Sequence, residues 1–294
     1  MKIILTALTL MISLSPEAFA RNKAIYGSFD NQFVSHSSPE NIIKQATGVA
    51  YLTPKSLIKK VSTNNSVIKA ISLKKQLNLC SNERFSGNLA SLHSCTGFLV
   101  EKDILVTAGH CIKTQSDCDK FAVAFGVSSA KEDTDEGGFL IPTAAIYSCK
   151  KILKAYDEDD TNYDYSVIQL DRKASARYVF TLGDDSYLNY NSSVYMLGHP
   201  LGLPLTHTQP APVTSIYSDY TFKTTLDSFA GNSGSPVINA KNGNVVGILT
   251  GGQEDFPEEG KGCKKYSKHS SGGETVTRIN LIRNFIEIYK YNNY

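Results

Sequence analysis

Apolar residues in this chain fall into short runs separated by Gly, Asn, Asp, Ser and Pro. Phe121–Val127, Val167–Leu170, Val194–Leu197, Val213–Tyr217 and Val245–Leu249 each have the length and β-branched or aromatic content of strands. After Asp164, the chain alternates, with Ser166, Ile168 and Leu170 on one side and Tyr165, Val167 and Gln169 on the other. Asn242 and Gly243, between Pro236–Ile238 and Val245–Leu249, predict a hairpin closed by a type I′ turn. Helical spacing is confined to a short stretch from Pro39 to Ala46 and to Ile279, Ile282, Ile286 and Tyr289 near the C-terminus. Many short strands without intervening helices, in a chain of 294 residues, predict an all-β protein of two packed antiparallel barrels and a C-terminal helix.

The N-terminal part has a different character. Lys2, the apolar stretch Ile3–Leu14, Pro16 and the small-x-small triplet Ala18, Phe19, Ala20 read as a secretory signal over residues 1–20. The apolar stretch is far short of the ~20 residues that a membrane-spanning helix needs, so no stable membrane anchor is expected. Residues 21–65, rich in Asn, Ser and Lys, read as a removable pro-segment or N-terminal extension, and 66–294 as the functional domain. Within it the first barrel is expected over about 80–175, the second over about 176–278 and the helix over about 279–290. A net charge of +2, which loss of Lys2 and Glu17 leaves unchanged, does not suggest a nucleic-acid partner. Six cysteines in an exported chain predict three disulfides in a secreted or periplasmic protein.

Three polar motifs carry the chemistry. Thr107-Ala108-Gly109-His110-Cys111 follows the run Ile104, Leu105, Val106; Asp164 opens the alternating strand; and Gly231-Asn232-Ser233-Gly234-Ser235-Pro236 precedes another strand. A serine hydroxyl is a poor nucleophile at neutral pH, so it needs an imidazole base, and the imidazole needs a carboxylate to fix its tautomer. His110, Asp164 and Ser233 supply that set, with the N–H groups of Gly231 and Ser233 as oxyanion donors. An α/β-hydrolase would order the set Ser, Asp, His and would hold its serine in Gly-x-Ser-x-Gly, and neither holds here. No cofactor or metal is required: the cysteines form no Cys-x-x-Cys pair, and the acidic stretches Glu132–Glu136 and Asp157–Asp160 do not follow an EF-hand loop.

Together the motifs resemble the chymotrypsin-type (trypsin-like) serine peptidases. The serine motif is similar to that of the secreted bacterial branch that includes the glutamyl endopeptidases, and the resemblance runs over roughly residues 80–290. It implies two six-stranded barrels with the site in the cleft between them, His110 and Asp164 from the first and Ser233 from the second. It further implies a disulfide between Cys95 and Cys111, protein or peptide substrates and a monomeric hydrolase. Cys80, Cys118, Cys149 and Cys263 leave three pairings open, with Cys118 to Cys149 favoured. The alternative from another class is a non-catalytic secreted binding protein that keeps the scaffold.

The same resemblance places Asp227 at the base of the specificity pocket with Ser228 beside it, which implies cleavage after Lys or Arg. Thr250, Gly251 and Gly252 then pair with substrate backbone and form one pocket wall. Glutamyl endopeptidases carry a histidine near this strand end, and none stands here. His207 and Thr208 lie in a Gly/Pro-rich loop, Gly198–Thr208, that could reach the pocket from the other side. Animal-type relatives activate by pairing a new N-terminal amine with an aspartate before the serine. Asn232 occupies that position and cannot form the ion pair, so removal of a pro-segment would act by relieving blockage or aiding folding.

Overall fold

The computed structural model describes residues 24–158, 163–216, 218–257 and 262–293. The expected signal sequence over residues 1–20 lies outside the described residues, as do Asp159 and Asp160 of the acidic stretch. Six antiparallel strands close the first barrel: β1 (Val49–Pro54), β2 (Cys95–Glu101), β3 (Ile104–Thr107), β4 (Phe121–Phe125), β5 (Ile146–Glu158) and β6 (Tyr163–Leu170). A second ring of six consists of β7 (Ser193–Gly198), β8 (Ala211–Ile216), β9 (Thr221–Thr224), β10 (Pro236–Asn239), β11 (Val245–Gly251) and β12 (Glu274–Arg278), closed where β7 pairs with β8. A four-stranded antiparallel sheet that includes Asn65–Lys69 and Gly138–Pro142 flanks the first barrel.

The strands read as unbroken apolar runs because both their faces are buried. Leu99, Leu105 and Ile168 fill the first barrel, while their neighbours Phe98, Val106 and Val167 pack outward with Leu197, Ile238 and Ile248 of the second. Along β7, likewise, Val194 and Met196 enter the second barrel and Tyr195 and Leu197 enter the interface. The C-terminal helix, Asn280–Asn293, lays Ile282 and Ile286 into this shared cluster, so it braces both barrels. Among the described residues no helix is long and apolar enough to cross a membrane.

The first barrel begins at Val49, upstream of the expected boundary near 80. The stretch 21–65 therefore contains a barrel strand, with Leu52 opposite both Cys95 and Val123. Composition concealed this, since β1 is only six residues long and is followed by the polar stretch 59–66. Further upstream, Ile25–Tyr26 pairs in parallel with Lys268–His269, and Gln32–Phe33 pairs with Thr206–His207 at the edge of β7. The turn after β10 also differs from expectation. Gly243 alone takes positive φ (74°), and its N–H reaches Asn239 O over 2.9 Å, so the loop is wider than a two-residue type I′ turn. The disulfides join Cys95 to Cys111, Cys118 to Cys149, and Cys80 to Cys263.

Ile282 is fully buried at the junction of helix and barrels. Ile282→Ala is expected to cost about 2–5 kcal/mol of unfolding free energy, read by denaturant titration, because barrels fixed by their ladders cannot collapse on the void.

Candidate active site

The histidine loop is shaped by a close approach. Strand β3 pairs with β6, setting Thr107 opposite Ser166, and the chain then turns at Ala108 and Gly109. A Cβ on Gly109 would lie 1.7 Å from Tyr156 O, so only glycine lets the loop settle on β5. That seats His110 beside Asp164. The His110 backbone N–H donates to Asp164 Oδ1 (3.1 Å), and ring Nδ1 lies 2.8 Å from Oδ2. A carboxylate accepts, so Nδ1 carries the proton and Nε2 presents its lone pair. Nε2 is buried and bonds to no described protein group.

The serine loop is a succession of tight turns. Asn232 N–H donates to Phe229 O (3.0 Å), Ser235 N–H to Asn232 O (2.9 Å) and Gly234 N–H to Leu249 O of β11 (2.8 Å). Gly231 and Gly234 hold φ of 91° and 86°, where a side chain would be strained. A Cβ on Gly234 would lie 2.2 Å from Thr96 O and 2.8 Å from Ala108 N, so the loop packs directly on the strand end that carries His110. Thr96 locks the contact. Its N–H donates to Ser233 O (2.9 Å), its hydroxyl donates to Gly231 O (2.8 Å) and accepts from His199 N–H (3.0 Å), and its carbonyl accepts from Thr107 Oγ1 (2.7 Å). The Ala230 carbonyl accepts from Leu201 N–H, and across a trans peptide the Gly231 N–H then points away from that loop.

The expected pocket residues are partly rearranged. Asp227 is buried, but Oδ1 accepts from Tyr26 N–H (2.8 Å) and Oδ2 from Asp30 N–H (2.9 Å), so both oxygens face the N-terminal arm. Burial pushes its pKa up to about 6. Ser228 N–H donates to Ala24 O, and its hydroxyl donates to Glu274. Thr250, Gly251 and Gly252 continue the end of β11 beside β12, and Gly252 also borders a cavity of about 510 Å³ with Tyr266, Lys268 and His269. His207 pairs in a strand with Leu197 and Gln32, and Thr208 donates its N–H to Met196 O, so both are tied to β7. Asn232 is fully buried, and neither of its side-chain polar atoms has a hydrogen-bond partner among the described residues.

Sequence reasoning missed Glu274, Tyr26 and Thr96. Glu274 left one signal: it stands two residues before Val276, on the face of β12 that enters the barrel, where a charge is out of place. Among the described residues, Cys95, His110 and Cys111 are grouped closely enough to suggest a metal site, yet the two cysteines are joined and offer no thiolate.

Thr96→Val keeps the shape and removes the hydroxyl, leaving Gly231 O and His199 N–H without it. A cost of about 1–3 kcal/mol per abandoned partner is expected in denaturant unfolding. His199, directly behind the loop, donates Nδ1–H to Leu203 O (3.0 Å), and burial lowers its pKa to about 4. Its unfolded value is near 6.5, so the stability it lends is present above that pH and is lost as pH falls towards 4. The loss should reach about 3 kcal/mol. Thermal midpoints measured from pH 7 to 4 should show it, and His199→Gln should flatten the slope.

Known proteins bear on this geometry. The trypsin-like peptidase domain model matches residues 95–248, just over half of the chain. Glutamyl endopeptidase of Bacillus licheniformis is 28% identical over 159 residues, 51% of this chain and 46% of its own length. An extracellular metalloprotease of Bacillus subtilis is 30% identical over 159 residues, 51% and 47% respectively, and trypsin iota of Drosophila melanogaster 29% over 82 residues, 28% and 29%. The chain thus spans about half the length, or less, of the curated relatives it matches. In fold it is similar to a Glu endopeptidase solved with MPD (TM-score 0.53, 16% identity, 91% of this chain and 100% of that one). It is also similar to the VesB protease of Vibrio cholerae (TM-score 0.51, 14% identity, 90% and 67%). The matched stretch runs from the cysteine before Thr96 into β11, past Ser233, and the protein belongs to the trypsin-like peptidase domain family.

Proposed function

We propose that this protein is a serine endopeptidase that acts outside the cytoplasm, as a monomer, on protein and peptide substrates. The observation that carries the reading is the His110–Asp164 pair: a ring held at Nδ1 by a buried carboxylate, with a shielded and uncommitted Nε2, one loop contact from Ser233. Ser233 Oγ attacks the scissile carbonyl as His110 Nε2 takes its proton, and Asp164 stabilises the imidazolium. The N–H groups of Gly231 and Ser233 receive the oxyanion. Imidazolium returns the proton to the leaving amine, and water releases the acyl-enzyme by the same route. A binding protein without activity would have no use for the buried carboxylate and fixed tautomer.

Thr250–Gly252 accept substrate backbone as an added strand, and the side chain before the cut is Lys or Arg. The Bacillus licheniformis relative is named for cleavage at glutamate, but here Asp227 and Glu274 are both buried near the pocket and would repel an acidic side chain. Residues 24–33 pair with the second barrel's periphery and 49–54 close the first, which supports a pro-segment that ends before Ala24 over one that runs to 65. Three disulfides fit export to an oxidising compartment.

A fluorophosphonate should form one adduct, on Ser233, and none in Ser233→Ala, read by intact mass. Asp164→Asn should retain the fold and lower kcat by about 10⁴, since the wrong tautomer is then favoured. Absence of labelling in disulfide-bonded protein would overturn the peptidase reading.

A further inference from the structure

Asp227 is the carboxylate that the resemblance assigns to the pocket base, yet each of its oxygens is bonded to the N-terminal arm and neither to the wall. Both oxygens accept backbone N–H groups of the N-terminal arm, at Tyr26 and Asp30. A second carboxylate, on Glu274, stands between the wall and the base. On the wall side, a Cβ built on Gly252 would fall 2.1 Å from Glu274 Oε2 and 2.3 Å from Oε1, so the carboxylate lies against the bare face of that glycine. At the base, Ser228 Oγ–H donates to Oε2. From the arm, Tyr26 O–H donates to Oε1 (3.1 Å). Tyr26 thus separates the two acids, giving its N–H to Asp227 and its hydroxyl to Glu274.

Resting on the peptidase reading, we propose that Glu274, and not Asp227, is the specificity-determining carboxylate, and that it selects a cationic side chain before the scissile bond. Gly252 is required because any side chain there would take the volume that the carboxylate fills. Gly252 on the wall and Ser228 at the base both touch Glu274, whereas Asp227 bonds to Tyr26 and Asp30 of the arm, so a cation that follows the Thr250–Gly252 wall is led to Glu274. The two hydroxyl donors hold the carboxylate's orientation in advance, so an ammonium or guanidinium finds a preformed acceptor. Asp227 instead anchors the arm through two backbone N–H groups.

The test compares Glu274→Gln and Asp227→Asn with the parent enzyme on matched peptides that differ only in the residue before the cut. Glu274→Gln, close in shape, should lower kcat/KM for Lys and Arg peptides about 10- to 100-fold. The ratio of kcat/KM for Lys and Arg peptides to that for peptides with a small apolar residue should fall by a similar factor, and Glu274→Asp should restore part of that ratio. Asp227→Asn should leave the ratio of basic to apolar cleavage within about threefold and should instead lower the thermal midpoint. A Lys/Arg preference that survives Glu274→Gln, or that disappears in Asp227→Asn, overturns the assignment. Calorimetric binding of benzamidinium to Ser233→Ala reads the same contrast without catalysis. Weaker binding in Ser233→Ala/Glu274→Gln supports the assignment even if labelling at Ser233 fails, and equal or no binding in the two proteins overturns it.

Discussion

The contact of Gly234 with Thr96 and Ala108 is the constraint on which the site depends. Ser233 and His110 are carried by different barrels, so their relation is set by how closely the backbones meet. Glycine at 234, with φ of 86°, permits the approach, and Thr96 fixes its register by committing every polar group it has to it. Because these bonds are shielded from water, each defines position more sharply than it would at the surface. The Cys95–Cys111 disulfide ties the two strand ends covalently, and its Cys111 sulfur lies 3.9 Å from Ser233 O.

Around that contact, the same double use recurs: strands buried on both faces serve two cores at once. The interface cluster takes alternate residues from the strands that line the barrels, and the C-terminal helix fills the remaining groove. Relative motion of the barrels would open the interface and separate Ser233 from His110, so the hydrophobic effect that stabilises the fold also maintains the geometry of the site. Asp185 serves the seam from the far end, receiving Arg278 Nη2 (2.6 Å) and the Asn280 N–H (2.7 Å) where the last strand meets the helix.

The N-terminal arm ties two buried carboxylates into the fold. Burying Asp227 and Glu274 near one another is costly, and the arm offsets the cost with two backbone N–H groups and a tyrosine hydroxyl. Cys80–Cys263 links the two halves of the chain on the same side of the molecule, where Phe29, Phe85, Phe229 and Tyr266 pack ring to ring. Arm, disulfide and aromatic cluster together hold residues 262–269 against the second barrel.

Sequence by itself determined the strand-rich pattern, the C-terminal helix and the ordered His, Asp and Ser motifs, because periodicity and glycine-flanked polar residues are local properties. It also carried the resemblance from which two six-stranded barrels and the Cys95–Cys111 bridge followed. Tertiary structure alone decided that β1 lies within 21–65, since a six-residue strand in a polar neighbourhood is marked only by its partners Cys95 and Val123. It alone separated the two buried carboxylates. Asp227 precedes Ser233 by six residues and drew attention through the motif. Glu274 reaches Ser228 across 46 residues, and Tyr26 reaches Glu274 across 248. Contacts over such separations are made by the closing of the barrels, and no pattern within a strand or loop records them.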